Sequence, residues 1–197
     1  MATALTHFVV GACVALPFAL SRSLGGVLRP RDFVIASGAI ALLPDADVLL
    51  MRWVPYASFY GHRGFFHSPF FLVVLCAAFA GLARIAVKDV SSRGAALLMA
   101  VWTAAAISHP ILDALTDGGL GVMLLFPFRS ERYFFGWRPI HVAPIGFRRA
   151  AWGLVRAFPS EWPFCVGALV FAAGGYWIAS KRTASQQGAL KSTNAAA

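Results

Sequence analysis

The chain has 197 residues, of which 59% are hydrophobic and only 13% charged, and its mean hydropathy is +0.70. A soluble domain carries roughly 25% charged residues because its surface must be solvated. The composition therefore excludes a soluble globule, and equally a disordered chain, a coiled coil or a disulfide-stapled secreted module. What remains is a membrane protein, and the helix-length apolar stretches that follow make it all-α. The net charge of +9 fits anionic headgroups and topology signals, not nucleic acid, because no nucleic-acid motif accompanies it. Cys13, Cys76 and Cys165 lie far apart in apolar runs and read as small buried residues.

Five apolar stretches approach the roughly 20 residues that cross a bilayer. In chain order they run over Leu5–Leu20, Phe33–Val54, Pro69–Val87, Gly94–Thr116 and Pro163–Ser180. The first lacks the basic flank and cleavage site of a signal peptide. Pro44, Asp45 and Asp47 interrupt the second. The third opens on Ser68-Pro69, a hydroxyl cap followed by a residue whose missing N–H costs nothing there. Between the fourth and fifth lies a long aromatic and arginine-rich segment, in which Ile145–Phe158 reads as an amphipathic helix lying in the interface. Residues 1–180 thus form one polytopic bundle of about five spans, and the polar residues 181–197 are expected to be a disordered tail.

Five crossings place the start of span one, the end of span two, the start of span three, the end of span four and the start of span five on one side. Those places hold His7, Asp45 and Asp47, His62 and His67, His109 and Asp113, and Glu161. Ionisable residues in spans cost on the order of 2.5–3.5 kcal/mol and are functional candidates by default. His109 and Asp113 are four apart and share a helix face, with Pro110 between them. Imidazole and carboxylate donors without cysteine suit Zn²⁺ or a similar divalent ion. Asp45 and Asp47, two apart, cannot share a face, which fits one carboxylate as ligand and one as general base.

The ordered set Thr6-His7, Pro44-Asp45-Ala46-Asp47, His62-Arg63-Gly64 with His67-Ser68, and His109-Pro110-Ile111-Leu112-Asp113 with Thr116 and Gly119 resembles the YdjM family. Phe126-Pro127-Phe128, Arg132-Tyr133-Phe134, Trp137-Arg138-Pro139-Ile140 and Ala143-Pro144-Ile145-Gly146, through to Glu161, extend the likeness. The resemblance implies a bacterial membrane-bound, metal-dependent hydrolase. That family in turn resembles, more distantly, the zinc-dependent phospholipase C and P1 nuclease group, in which a His and an Asp four residues later supply ligands. His109 and Asp113 match that pair. Phe66 replaces the usual Thr, and His141 is followed by Val-Ala-Pro-Ile, not by the later His-x-x-x-Glu, so one or two ions are expected and not three.

The expected function is hydrolysis of a phosphoester on a lipid or lipid-linked substrate. His67, His109 and Asp113 are the principal ligands, with His7, Asp47 and His62 as further ones. Asp45 is the general base, and Arg63 and Arg138, with Arg132 in reserve, hold phosphate oxygens. A non-catalytic protein with a structural metal, or a proton relay, are the alternatives; the relay is disfavoured because the opposite span ends lack polar groups. The short turns carrying Arg22, Arg29 and Arg31, and Arg84, Lys88 and Arg93, lie opposite the site. The positive-inside rule puts them in the bacterial cytoplasm, and the site on the extracytoplasmic face of the inner membrane.

Overall fold

A computed structural model describes residues 1–24, 28–87, 90–144 and 150–195. Five α-helices carry the architecture: α1 (Ala4–Ala15), α2 (Pro30–Ile40), α3 (Pro69–Ala86), α4 (Ser92–Ala114) and α5 (Ala150–Ala195). Each start has a local cause. Thr3 caps α1 by accepting from the Thr6 N–H, and Ser91 caps α4 by accepting from Gly94. Ser68 accepts from the Phe71 N–H ahead of Pro69, the cap that the sequence of α3 predicts. Each satisfies a donor that the helix itself leaves open.

Length and hydropathy make α3, α4 and residues Ala151–Gln186 of α5 long and apolar enough to cross a membrane. A fourth crossing is available if α2 and the 3₁₀ helix Leu43–Leu50, bent by 41°, act as one broken span. The first expected span falls short: Ala4–Phe18 is a shorter apolar helix, α1 being followed by the 3₁₀ turn Leu16–Phe18. At 1.5 Å per residue such a helix covers less than the roughly 30 Å hydrocarbon layer. The structure therefore offers three or four crossings where the sequence suggests five. Residues Val73, Val74, Leu82 and Ile85 of α3, and Val166, Leu169, Val170 and Phe171 of α5, are exposed, as lipid-facing surfaces should be.

Two expectations for the carboxyl-terminal third change. Residues Ala150–Phe158 are the opening turns of α5 and run into the last span without a break, so they are not a separate interfacial helix; Ile145–Arg149 lie outside the described residues. Pro159 and Pro163 both sit inside the helix. The tail beyond Lys181, expected to be disordered, continues α5 to Ala195. Its Ala, Gln, Lys and Leu content favours propagation of a helix that is already nucleated. Lys88, one of the topology charges, also lies outside the described residues.

Apolar and polar cores occupy different levels of the bundle. Leu24, Phe33, Leu72, Cys76, Leu98 and Trp102 pack one buried cluster among α2, α3 and α4. The three cysteines are free and buried, as expected. Towards the other end the buried residues turn polar: His7, Asp47, His62, Arg63, His67, His109, Asp113 and Glu161. Residues 117–144 form an irregular cover over that end. Isolated bridges, Thr116 to Ile140 and Val122 to Tyr133, pin it, and the Met123 N–H donates to the Arg63 carbonyl at 3.1 Å.

Candidate metal centre

The cluster residues are delivered by several separate elements. His7 lies in the second turn of α1, and Asp45 and Asp47 lie in the 3₁₀ helix after α2. His62 and Arg63 come from the loop before α3, and His67 ends the 3₁₀ turn Phe65–His67. His109 and Asp113 come from the last turns of α4. The convergence that crossing parity implies is therefore present, even though α1 is too short to count as a span.

Gly61 and Gly64 make the tight loop possible. A Cβ on Gly64 would come within 2.2 Å of the Phe59 carbonyl oxygen, and one on Gly61 within 2.3 Å of the Tyr56 carbonyl oxygen. Arg63 between them has φ of 64°, a left-handed conformation that is uncommon for a non-glycine residue. Its buried guanidinium repays that cost. Nε lies 3.1 Å from Asp113 Oδ2, Nη1 donates to the Gly118 carbonyl at 2.9 Å and Nη2 to the Thr116 hydroxyl at 3.0 Å.

Carboxylates and carbonyls behind the rings fix which imidazole nitrogens face inward. His62 Nδ1 lies 2.7 Å from Asp47 Oδ1, and His67 Nδ1 lies 3.1 Å from Asp47 Oδ2. His109 Nδ1 donates to the Ala41 carbonyl at 2.8 Å. Asp47 thus backs His62 through a hydrogen bond and lies beside His67, and in His62 and His109 Nε2 is the nitrogen left over. His62 Nε2 and His109 Nε2 have no hydrogen-bond partner, and neither have the two nitrogens of His67, the two of His7, both oxygens of Asp45, Asp47 Oδ2 and Asp113 Oδ2. Buried polar atoms are normally paired. So many orphans in one place need an explanation.

Their spacing supplies it. Asp45 Oδ1 is 3.6 Å from His67 Nε2 and 3.3 Å from His109 Nε2. Asp113 Oδ2 is 3.9 Å and 3.7 Å from the same two atoms. These separations are long for hydrogen bonds, yet close to the roughly 3.3 Å edge of a tetrahedron with bonds of about 2.0 Å. Two overlapping sets have ligand atoms all within 4.8 Å of one another: Asp45, His62, His67 and Asp113, and His7, Asp45 and His109. Three carboxylates against one guanidinium also leave an excess of negative charge in a buried space, which protons on the imidazoles or a divalent cation would offset.

Burial acts to lower the pKa of His67, but the carboxylates of Asp45 and Asp47 outweigh it and push the imidazole up to about 9. Burial dominates at His62 and pushes its ring down despite Asp47. His7 stacks on His109 with ring centroids 3.6 Å apart. The Asp45 side chain is 12% exposed against 0–1% for Asp113 and Asp47, although both its oxygens are buried.

The arginines behave differently from the sequence expectation. Arg63 directs Nε, Nη2 and Nη1 towards Asp113, Thr116 and Gly118 and so braces the cluster from within. Arg132 donates to the carbonyls of His62, Tyr56 and Ser58 and so braces the histidine loop. Arg138 is exposed, with its guanidinium 4.9 Å from the Phe134 ring centroid, and has no polar contact with the cluster among the described residues. Glu161, noted in the sequence at the start of span five and at the end of the family likeness but given no role, is fully buried. It accepts from the Thr3 N–H at 2.7 Å, the Thr6 hydroxyl at 2.6 Å and the Thr3 hydroxyl. That clamps α5 to the start of α1, and the Ala2 N–H donates to Asp113 Oδ1 at 2.8 Å.

Comparison with known proteins gives the family. Residues 1–184 match the family described as YdjM inner membrane protein. The chain is 36% identical over 153 residues to inner membrane protein YbcI of Escherichia coli (strain K12), covering 76% of this chain and 81% of that protein. No solved structure matches.

Proposed function

The chain belongs to the YdjM family of inner membrane proteins, and we propose that it is a metal-dependent hydrolase acting on a phosphoester of a lipid or lipid-linked substrate. One observation carries the reading: buried Nε2 and carboxylate oxygen atoms without partners, at ligand–ligand distances, in a pocket with excess negative charge. His62, His67 and Asp113 would hold one ion and His7 and His109 a second, with Asp45 shared between them. Asp47 moves from ligand to the group that orients His62 and His67, the position of a carboxylate behind a metal-binding imidazole.

Zn²⁺ or a similar divalent ion supplies Lewis acidity to a phosphoryl oxygen and acidifies water. The chain's residues supply the remainder. Asp45 uses Oδ1 towards His67 and His109, while Oδ2, buried and without a partner, is the proton acceptor. Arg63 holds Asp113 in place and offsets its charge. Placement in the membrane favours an amphiphilic substrate, and the short basic turns opposite the site favour its extracytoplasmic placement.

Purified protein with and without chelator, assayed on a panel of phosphodiester and phosphomonoester lipids, tests the activity. Chelator-sensitive turnover is expected, and metal content with no turnover on any substrate would leave a structural ion. An alkaline phosphatase fusion at Ala197 tests sidedness; it should be inactive, with the carboxyl terminus in the cytoplasm.

A further inference from the structure

The fifth histidine, His141, takes no part in the cluster. It lines a separate cavity of about 170 Å³ together with Asp117, Val142 and Arg156. His141 Nδ1 lies 2.8 Å from Asp117 Oδ2, and Asp117 Oδ1 accepts from the Val142 N–H at 2.8 Å. Both carboxylate oxygens are therefore engaged, and the His141 ring, donating from Nδ1, keeps Nε2 for a ligand. Gly118 lets the wall close, because a Cβ there would come within 2.8 Å of Val142 Cγ1.

The cavity lacks the features of two other sites. Ser160 completes the residue types of a nucleophilic triad, but its hydroxyl accepts from the His141 N–H at 2.8 Å and donates to the Ala157 carbonyl at 2.7 Å. It is bonded to the backbone, not the ring, so the triad geometry is missing. Arg156 disfavours a cation. That guanidinium makes no hydrogen bond or ion pair among the described residues and lies 5.4 Å from the Trp152 ring centroid, which limits its wandering.

We propose that this cavity is a phosphate-binding subsite, in which Arg156 and His141 Nε2 hold the anion. Asp117 positions the ring, leaving Arg156 to set the sign of the site. A guanidinium and an imidazole lining one small space suit a tetrahedral anion. The subsite sits beside the buried cluster along the chain. Asp117 follows Asp113 by four residues, and the intervening Thr116 is bonded to Arg63. The inference does not depend on hydrolysis at that cluster.

The test uses full-length protein in detergent, stripped with chelator so that the cluster cannot capture phosphate through a metal. Histidine Cε1 is labelled with ¹³C, and the His141 signal is assigned by its loss in His141→Gln. Titration with inorganic phosphate at fixed pH should move that signal saturably, with at least tenfold weaker binding in Arg156→Gln and partial recovery in Arg156→Lys. Tighter binding of short-chain phosphatidic acid than of inorganic phosphate identifies a lipid headgroup as the source of the anion; equal or weaker binding identifies free phosphate. No saturable shift, or one that Arg156→Gln leaves unchanged, overturns the proposal. Neither result bears on the hydrolase reading, which is tested by turnover.

Discussion

Two imidazole–carboxylate pairs of nearly the same length sit in opposite surroundings. His62 and Asp47 meet at 2.7 Å with side chains 0% and 1% exposed; His141 and Asp117 meet at 2.8 Å with side chains 63% and 43% exposed. Water around the outer pair screens the attraction and offers each group other partners, so such pairs contribute little to stability. The inner pair has neither relief. Its members must be matched by neighbours, and the match extends through His67, Asp45 and Asp113 to Arg63. The same chemistry is a detachable surface contact in one place and part of an all-or-nothing network in the other.

Breaking the inner network at its charge balance should have the largest effect. Asp113→Ala leaves Arg63 buried without its carboxylate and should cost about 3–5 kcal/mol. It should also remove at least one ion per chain, read by elemental analysis of purified protein beside wild type. Full metal content in Asp113→Ala and in His67→Ala would sink the assignment of the centre.

Asp47→Asn keeps the shape of the orienting group and weakens its hold on His62 and His67. A fall in metal affinity of about 10–100-fold is expected, with occupancy restored at high metal concentration. Asp45→Asn is the sharper contrast: occupancy should fall in both ligand sets. If that variant instead binds metal normally and only loses turnover, Asp45 acts as base alone.

The pH response of metal-free protein separates the two regions again. His67 is raised to about 9 from an ordinary 6.5, so its contribution to stability is fully present below about pH 6.5 and is lost as pH rises through about 9. Melting temperature of the chelated protein should therefore decline across that window. Metal loading should abolish the decline, because the ion replaces the proton. Asp117, by contrast, has its carboxyl lowered by the hydrogen bond from His141, and its contribution disappears only as the solution becomes acidic. Asp117→Asn is the smallest effect, within about 1 kcal/mol by chemical denaturation.

Local pattern made part of this readable. The spacing of His109 and Asp113 and the Ser68-Pro69 start of α3 are properties of short stretches, and the structure repeats them. Crossing parity brought the acidic and histidine-bearing ends together because it needs only the order of the spans. What escaped depends on partners far away in sequence. Nothing near Arg63 says that its guanidinium turns inward to Asp113 and Thr116 and not outward to phosphate. Asp45 and Asp47 looked like ligand and base in either order. Their separation into an inner and a backing carboxylate comes from the 3₁₀ helix Leu43–Leu50, a winding that apolar periodicity does not announce. The length of α5 escaped because the apolar stretch of the last span begins only at Pro163, whereas Pro159 and Pro163 both lie within the helix.

The clamp between Glu161 and the start of α1 also governs when the molecule can be finished. Thr3 and Thr6 leave the ribosome early, and their carboxylate partner follows 155 to 158 residues later. Until α5 arrives, Thr3 and Thr6 lack their carboxylate, and the start of α1 is held only by contacts such as the Ala2 N–H to Asp113. Contacts of such long sequence separation tend to form late, since the entropy of closing the loop comes first. The polar end of the bundle is thus completed only when α5 docks, whereas the apolar cluster of α2, α3 and α4 contains no residue of α5.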